Sequence, residues 1–457
     1  MSRGAARPHG LMTTLTGPNS EISAPNPQEQ SLASGEARYN ELDSLRGLAA
    51  ATVVFGHIAV LVFGAPVVPG SGWTHWRHIL ETINRTPLTV IMGGGAAVRF
   101  FFVLSGFVLM LPYLRRKDNP YAPYIVKRIC RIYLPYLAAV AIAVLGNWLL
   151  AGYPLPGFSA EVAQTWSVPV SGKVVLQHVA MLGIFPTARF NTAFWSLVQE
   201  MRISIYFPLI ALAVLRLSGR TLLALVLAIE AALAALPLFF PHIDMGLASF
   251  PAMVHWSNMF ILGAYLALRR EDVRAWMASL SPLKKATLAL VAFLFYSMGI
   301  KTVWGQQFQT HVMAHLVKLR LFAGWTNPAF FADSTIVLGD WIAALSAGVA
   351  ICFALTDRRT KAVLNHTLVL WTGRASYSLY LVHATVLFSL IYLLFGTKYM
   401  YLLAPLYFLL TIVATALFYR LVEVPTMNLG RNLSRRMLQS RIAAPETRPD
   451  AQPTAAN

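Results

Sequence analysis

The stretch LDSLRGLAAATVVFGHIAVLVF, residues 42 to 63, decides the fold because it is long, apolar and carries very few polar side chains. As a helix, it is long enough to cross the ~30 Å hydrocarbon core of a bilayer. Arg46 and His57 are eleven residues apart, which is about three turns and ~16 Å of rise and places both near one face. The arginine is then at a membrane surface and the imidazole lies within the bilayer, where ionisable groups mark functional sites.

Composition extends this interpretation to the whole chain. The protein is 56% hydrophobic and 12% charged, with a mean hydropathy of +0.57. Its apolar runs are about 18 to 25 residues long, the length of a membrane crossing. We predict an all-α integral membrane protein, a bundle of about ten transmembrane helices. The predicted crossings lie near residues 44–66, 88–112, 133–152, 193–215, 221–239, 251–268, 286–304, 336–356, 374–394 and 401–421.

The basic residues predict the orientation, because Lys and Arg near helix ends resist translocation. Four alternate loops carry sixteen of them, and the five loops of the other set carry seven. We therefore predict that the N- and C-termini are cytoplasmic, in a multi-pass protein of the cell inner membrane. The net charge of +18 then indicates contact with anionic lipid headgroups or a phosphorylated cytosolic ligand, and no nucleic acid partner.

The ends of the chain differ from its centre. Residues 1–37 are rich in Pro, Gly, Ser and Ala, and no apolar core in them is long enough for a cleaved signal peptide. We predict disordered cytoplasmic tails at 1–37 and 436–457, and a membrane domain at 38–435. Cys130 and Cys352 lie toward predicted cytoplasmic ends, where thiols stay reduced. No internal repeat is evident, which argues against an inverted-repeat transporter.

Three ionisable side chains converge when each is placed by depth. His57 lies about 20 Å above the start of its helix, and Glu200, in FWSLVQEMRISIYFPL, lies about 10 Å below the outer end of its own. Arg99, in AAVRFFFVLSGF, is expected at the same level. A base, an acid and a guanidinium at one level predict a reaction chamber. The alternative is an Arg99–Glu200 ion pair that only joins two helices.

A second group of polar residues is predicted at the cytoplasmic surface. The segment YIVKRICRIYLP places Lys127, Arg128 and Arg131 at the mouth of the third crossing, and Arg46 opens onto the same surface. Arg128 and Arg131 are three apart and share a helical face. Such a cluster suits the phosphates of a nucleotide-bearing ligand. The alternative is that these residues only set the topology.

Other patterns carry less information. Ser105, in LSGF, lacks the GxSxG context of a nucleophile elbow, so a serine hydrolase is not predicted. His311 and His315 have the i, i+4 spacing of metal ligands, and His75 and His78 lie in another outer loop. No cysteine lies near either pair in the sequence, and we predict no metal site.

Six motifs, in order along the chain, resemble the membrane acyltransferase 3 family. These enzymes have ten helices and O-acylate sugars of bacterial surface polysaccharides and some secondary metabolites. The resemblance extends from residue 38 to about 430. The motifs are LDSLRGLAAATVVFGH, FFVLSGF, KRICRIYLP, FWSLVQE, SYSLYLVH and LVEVPT.

The resemblance implies roles for the residues of the first and third motifs. The family histidine that is essential to acyl transfer corresponds to His57, and its arginine partner corresponds to Arg46. The RxxR motif corresponds to Arg128 and Arg131. These residues are therefore expected at the centre of the reaction and at the donor site.

The resemblance also covers the later motifs, with two departures. Glu200 matches the acid of the WSLxxE motif, and His383 matches the histidine of the SYxLYxxH motif. Where many members have an acidic residue before FFVLSGF, this chain has Arg99. After Glu200 it has MRISIY, where an aromatic-rich EQFY is common. Both departures bear on the chamber, so the acceptor is expected to differ from the better-known polysaccharides.

The resulting hypothesis is an O-acyltransferase. Acyl-CoA, by family frequency acetyl-CoA, would dock at Lys127 and the three arginines of the cytoplasmic mouth. His57 would act as general base on a hydroxyl of a sugar, lipid-linked glycan or metabolite presented from the outer side. Glu200 would orient the imidazole or hold the acceptor. Arg99, Ser105 and His383 would line the substrate chamber.

Three alternatives stay open at this point. An acyl-histidine intermediate would give ping-pong kinetics instead of direct transfer. A transporter or exporter could use His57, Glu200 and Arg99 as a proton or anion relay. A catalytically idle relative could serve as a membrane partner or sensor, although the presence of both His57 and Arg46 argues against it.

Overall fold

The structure is a computed structural model that describes residues 39–64, 73–115, 119–150, 155–166, 170–181, 183–300, 303–318 and 328–443. All regular elements within these ranges are helices, which confirms the predicted all-α class. The predicted tail at 1–37 lies outside the described residues, as do residues 444–457 of the predicted C-terminal tail.

Eight α-helices make up the first half of the described chain. They are α1 (Asn40–Gly64), α2 (Trp73–Asn84), α3 (Gly94–Arg115), α4 (Tyr121–Arg128), α5 (Leu134–Leu150), α6 (Ala160–Ala163), α7 (Gly172–Ala180) and α8 (Phe194–Arg216). Short 3₁₀ helices cover Pro87–Met92 and Thr187–Arg189, and a π-helical turn, Ile129–Tyr133, joins α4 to α5.

Eleven α-helices make up the described second half. They are α9 (Gly219–Phe239), α10 (Phe250–Leu268), α11 (Arg270–Ser279), α12 (Pro282–Met298), α13 (Val303–Lys318), α14 (Pro328–Thr356), α15 (Arg358–Leu364), α16 (Thr367–Arg374), α17 (Ser376–Leu394), α18 (Leu403–Phe418) and α19 (Val424–Ala443). A 3₁₀ turn, Met400–Leu402, precedes α18, and a second π-helical turn, Tyr419–Glu423, joins α18 to α19.

Within the described residues, eight helical stretches are long and apolar enough to cross a membrane. They are Asn40–Gly64, Gly94–Arg115, Tyr121–Leu150, Phe194–Arg216, Gly219–Pro237, Ile336–Thr356, Ser376–Leu394 and Met400–Ser440. Each of them overlaps a crossing predicted from the sequence. The chain is therefore a multi-pass membrane protein.

Two further predicted crossings look different in the structure. The helix pair Pro282–Met298 and Val303–Val312 is bent by 95° and adds a ninth span if the pair counts as one. Helix α10 has 19 residues, the length of a crossing, but its polar side chains, among them His255 and Asn258, exclude it from the apolar set. The count of ten and the orientation of the termini stay predictions.

Two helices extend well beyond the apolar runs that predicted them. The predicted crossing 133–152 is the end of a helical stretch that begins at Tyr121, and the crossing 401–421 continues through α19 to Ala443. Basic residues end the hydrophobic signal, but they are good helix formers and do not end the helix. As a result, Arg128 and Arg131 lie within continuous helical structure and not in a loop.

Serine caps fix where three helices of the bundle begin. The hydroxyls of Ser218, Ser249 and Ser281 accept hydrogen bonds from the backbone N–H three residues later, at the first turns of α9, α10 and α12. Such caps satisfy N–H groups that have no partner within the helix. The turns between these helices are therefore determined locally.

A close helix crossing joins α3 to α10 and depends on two glycines. A Cβ at Gly106 would collide with the backbone of Phe260, and a Cβ at Gly263 would collide with the backbone of Val103. Small residues let two helix backbones touch, which is the main way that helices pack in a membrane. Ser105 directly precedes Gly106, so this crossing helps to fix the position of its backbone.

A second glycine crossing joins α1 to α16. A Cβ at Gly47 would lie 2.5 Å from the backbone nitrogen of Gly373, and a Cβ at Gly373 would lie 2.6 Å from the Asp43 carbonyl oxygen. The backbone of α1 is therefore held against α16 beside Arg46. Gly56 is similarly close to Met92 and Gly94. Packing therefore fixes both ends of the stretch from Arg46 to His57.

We expect Gly106→Ala to destabilise the bundle by about 1–3 kcal/mol, because the new methyl group forces α3 and α10 apart. The measurement is the melting temperature of the purified protein in detergent. Gly348→Ala on α14 is the matched control, since the nearest atom to its Cβ position is Leu266 Cδ2 at 4.0 Å. Equal melting temperatures for the two variants would contradict the proposed role of the crossing.

Candidate active site

Two histidines from distant parts of the chain lie in direct contact. His57 of α1 and His383 of α17 have ring centroids 4.9 Å apart. The Nδ1 atom of His57 is 2.9 Å from the Val53 carbonyl oxygen and 3.3 Å from Nε2 of His383. His383 is fully buried, and its own Nδ1 is 3.1 Å from the Leu379 carbonyl oxygen.

These contacts determine which nitrogens carry hydrogen in the neutral rings. A backbone carbonyl can only accept a hydrogen bond, so Nδ1 of His57 and Nδ1 of His383 are the N–H donors. Nε2 of each ring is then the basic nitrogen. The Nδ1–H of His57 is shared between the Val53 carbonyl and His383 Nε2, so the lone pair of the neutral His57 ring is on Nε2.

Glu200 is bonded to one of the predicted chamber residues. The Ser105 hydroxyl of α3 donates to Glu200 Oε1 of α8 over 3.0 Å. Tyr380 lies between this pair and the histidines: its ring centroid is 5.8 Å from that of His383, and its hydroxyl group lies close enough for electrostatic interaction with Glu200. The structure therefore brings Glu200, Ser105 and His383 into one neighbourhood.

The predicted arginine cluster also comes together. Arg46 forms an ion pair with Asp43 over 3.1 Å, and its charge interacts with those of Arg128, Arg131 and Glu200. Glu200 is thus the carboxylate that connects the cluster to the histidine neighbourhood.

Lys127 occupies a different position from the arginines beside it. Its side chain is exposed, whereas Arg128 and Arg131 are partly buried. Arg131 lies inside the π-helical turn Ile129–Tyr133, with a guanidinium nitrogen 4.0 Å from Met427 Sδ of α19. A π turn is wider than an α turn, so Arg128 and Arg131 are not related as they would be on a regular helix face.

A second carboxylate, that of Glu423, lies near the arginines and was not predicted from the sequence. Glu423, in the LVEVPT motif, is buried and accepts hydrogen bonds from the Ser378 backbone N–H at 3.1 Å and the Ser378 hydroxyl at 2.5 Å. Its charge interacts with those of Arg131 and Arg46. The signal was available, since an acid at the end of an apolar run needs a partner inside the protein.

Arg99 is paired with Asp340 and not with Glu200, the partner considered from the sequence. Its Nε donates to Asp340 Oδ1 over 2.6 Å, and both side chains are 6% exposed. The guanidinium also donates to the Gly95 carbonyl oxygen and lies over the Trp256 ring. The alternative Arg99–Glu200 ion pair is therefore wrong, because α14 presents Asp340 to the guanidinium.

The structure places His57 and Arg99 at different depths, whereas the sequence predicted the same depth for both. Gly56 packs against Gly94, so His57 lies beside the start of α3. Arg99 follows Gly94 by five residues, about 8 Å along the helix axis. The difference arises because a 3₁₀ helix covers Pro87–Met92, where the sequence predicted the start of the second crossing.

The Arg99–Asp340 pair belongs to a larger polar cluster. His255 of α10 lies between two carboxylates, with Nδ1 at 3.0 Å from Glu230 and Nε2 at 3.4 Å from Asp340. Glu230 also accepts hydrogen bonds from the side chains of Asn258 and Trp341. Sequence reasoning by depth missed these residues, although each is a polar residue within an apolar helix.

Two residues close to Glu200 on α8, Gln199 and Arg202, hold this helix to the segments that precede α8 and α10. Gln199 donates to the carbonyl oxygens of Leu247 and Ser249. Arg202 donates to three further carbonyl oxygens and stacks on two rings. Its partners are Met181, Gly183, Ala248, Phe185 and Phe250. The departure MRISIY thus supplies a buried arginine that holds backbone in place.

The segment before α8 contains another buried histidine. Nδ1 of His178 on α7 is 2.8 Å from the Tyr136 hydroxyl, and the ring packs against Phe185, Phe190 and Phe194. Burial among these rings lowers the pKa of His178 to about 4. The imidazole is neutral at pH 7, which fits a packing role at the start of α8.

The weaker histidine candidates remain separate from this site. His311 and His315 lie on α13 with ring centroids 5.4 Å apart, and Nδ1 of His315 is 3.2 Å from the His311 carbonyl oxygen. In the part of the chain that the structure describes, no group of three His, Cys, Asp or Glu side chains is arranged to hold a metal ion. The side chain of His75 lies outside that part.

A pair of imidazoles, a buried carboxylate and a group of arginines thus lie among the apolar helices of a membrane protein. The family model of the acyltransferase 3 domain matches residues 39–420. The chain therefore belongs to the acyltransferase 3 family of membrane proteins. It is similar to nodulation protein 10 of Rhizobium leguminosarum bv. viciae, at 23% identity over 411 residues that cover 87% of this chain and 96% of that protein. No solved structure gives a significant match.

We expect Arg99→Leu or Asp340→Leu alone to destabilise the protein by about 3–5 kcal/mol, because each removes one half of a buried, hydrogen-bonded ion pair and leaves the other charge behind. The double variant should be less destabilised than the sum of the two single variants, since it removes both charges. Thermal melting of the four proteins in one detergent measures this coupling. Additive effects would show that the ion pair does not couple α3 to α14.

Proposed function

We propose that this protein is a transmembrane O-acyltransferase of the bacterial inner membrane. It moves an acyl group, in our proposal acetyl, from acyl-CoA at the cytoplasmic side to a hydroxyl of a sugar, lipid-linked glycan or metabolite at the outer side. Membership of the acyltransferase 3 family supports the reaction class. The observation that carries the proposal is the 2.9 Å contact between His57 Nδ1 and the Val53 carbonyl oxygen, from which we infer that Nε2 is the basic nitrogen.

In the proposed reaction His57 is the general base. Its Nε2 takes the proton of the acceptor hydroxyl as the oxygen attacks the thioester carbonyl carbon. The carbon–sulfur bond then breaks, and the imidazolium returns the proton to the departing thiolate, which gives an ester and free CoA. One proton moves from oxygen to sulfur through His57, so the protein is unchanged after a turnover.

The donor is proposed to bind at the arginines. Arg46, Arg128 and Arg131 lie close enough for their charges to interact. Three cations held together in this way favour a polyanion, and guanidinium groups bind phosphate bidentately. Lys127 is exposed beside them and would add a further positive charge at the entrance. Their position on the predicted cytoplasmic side suits CoA, which carries phosphates at one end and the thioester at the other.

Glu200 and Ser105 are proposed to hold the acceptor. Glu200 accepts one hydrogen bond from Ser105 and has further acceptor capacity on its two oxygens. A hydroxyl-rich acceptor would donate to these oxygens. Arg99 is excluded from this role because its guanidinium is bound to Asp340. Of the three predicted chamber residues, Ser105 is thus assigned to the acceptor, and Arg99 stabilises the helix bundle.

We expect His57→Ala to abolish acyl transfer while the protein still accumulates in the membrane. The measurement is acceptor-dependent release of CoA from acetyl-CoA by purified membranes, with an extract of cell-envelope glycans as acceptor. His311→Ala, a change to an exposed histidine on α13, is the matched control and should keep full activity. Substantial CoA release by the His57→Ala protein would refute the proposal.

The same assay separates the enzyme from a transporter. A transporter with His57 and Glu200 as a relay would move solute without consuming acyl-CoA. Wild-type membranes that release no CoA with any envelope extract, but take up or export solute, would favour that second function. An acyl-histidine intermediate would instead show as label from acetyl-CoA retained on the protein in the absence of acceptor.

We expect the double variant Arg128→Ala, Arg131→Ala to raise the KM for acyl-CoA at least tenfold with a smaller change in kcat, because it removes charge-assisted bonds to phosphate. The control removes two exposed arginines from another predicted cytoplasmic segment, Arg269→Ala with Arg274→Ala. Initial rates against acetyl-CoA concentration measure both. An unchanged KM in the first variant, or an equal rise in the control, would remove these residues from the donor site.

A further inference from the structure

His383 makes the contact with His57 that the sequence assigned to Glu200. Its Nε2 lies 3.3 Å from His57 Nδ1. Resting on the function proposed above, we propose that His383 is the positioning residue of the general base: a neutral imidazole that accepts the His57 Nδ1–H, fixes its tautomer and supports the positive charge that forms during transfer.

The acceptor role of His383 follows from its own backbone contact. Nδ1 of His383 faces the carbonyl oxygen of Leu379, one helical turn earlier. That carbonyl requires a donor, so the hydrogen of the neutral ring is on Nδ1 and Nε2 has the lone pair. The two rings therefore form an ordered chain: Leu379 fixes His383, and His383 together with Val53 fixes His57.

The helix that carries His383 is held on both sides of the ring. Asn191 donates to the Leu381 carbonyl oxygen over 3.0 Å and to the Thr385 hydroxyl over 3.2 Å. The ring of Tyr380 packs against His383. His383 has no exposed surface, so its imidazole is fixed by packing as well as by hydrogen bonds. A rigid acceptor of this kind keeps the base in one orientation throughout the reaction.

A neutral acceptor suits a bilayer better than a carboxylate. When Nε2 of His57 takes the hydroxyl proton, part of the new positive charge appears on Nδ1–H, which already has two acceptors, Val53 O and His383 Nε2. Both acceptors strengthen their hydrogen bonds to a charged donor. Neither carries a charge of its own, so the contact with His57 adds no buried anion that would need compensation in the resting enzyme.

The test compares two replacements of His383 that differ mainly in acceptor capacity. His383→Gln can place an amide oxygen near the position of Nε2, whereas His383→Leu has similar bulk and no acceptor. We expect kcat to fall about 10- to 100-fold in the leucine variant, the effect of one lost hydrogen bond to a developing charge. The glutamine variant should recover most of that loss. The KM for acetyl-CoA should stay within about twofold of wild type in both.

The outcomes separate this inference from the proposed function. If His383→Leu folds, as judged by thermal melting, and keeps wild-type kcat while His57→Ala is inactive, the positioning role is wrong and the acyltransfer proposal stands. If both His383 variants lose kcat equally and melt at lower temperature, the role is one of packing alone. If His57→Ala itself retains activity, the proposed function fails and the inference fails with it.

Discussion

The constraint on which this structure depends is that lipid supplies no hydrogen-bond partners. A polar group within the hydrocarbon region must find its partner inside the protein or lose several kcal/mol. The ionisable side chains of the bundle follow this rule: His57 is bonded to His383, Glu200 to Ser105, and Arg99 to Asp340. Because each partner comes from another helix, the pairs that satisfy the side chains also set the order of the helices.

The sequence predicted which residues form the site better than it predicted which of them contact each other. Depth along an apolar helix can be counted from residue numbers, and this count selected His57, Glu200 and the arginines, which the structure places in adjoining neighbourhoods. The rotation of one helix against another cannot be counted. Arg99 and Asp340 are 241 residues apart in the chain, and only the packing of α3 on α14 identifies them as partners. His255 and Glu230 were overlooked although the same depth argument applied to them.

The boundaries of the helices show what hydropathy measures. It located the crossings because burial in lipid requires apolar side chains. It did not locate the ends of Tyr121–Leu150 or Met400–Ser440, where the helix leaves the apolar region and its basic residues begin. These extensions matter for the proposed chemistry because they fix the arginines on rigid elements, and rigid elements hold a binding group more precisely than loops do.

The two π-helical turns, Ile129–Tyr133 and Tyr419–Glu423, make the number of residues as important as their identity. Each turn accommodates one residue more than an α-helical turn, so the helix on one side is rotated by about 100° from where an unbroken α-helix would place it. Deleting a single residue within Ile129–Tyr133 would keep the helix and its hydropathy. The deletion would nevertheless rotate Arg128 about the helix axis and away from Arg46. Apart from the two arginines and the buried Cys130 and Ile132, this region should therefore tolerate substitutions during evolution better than insertions or deletions.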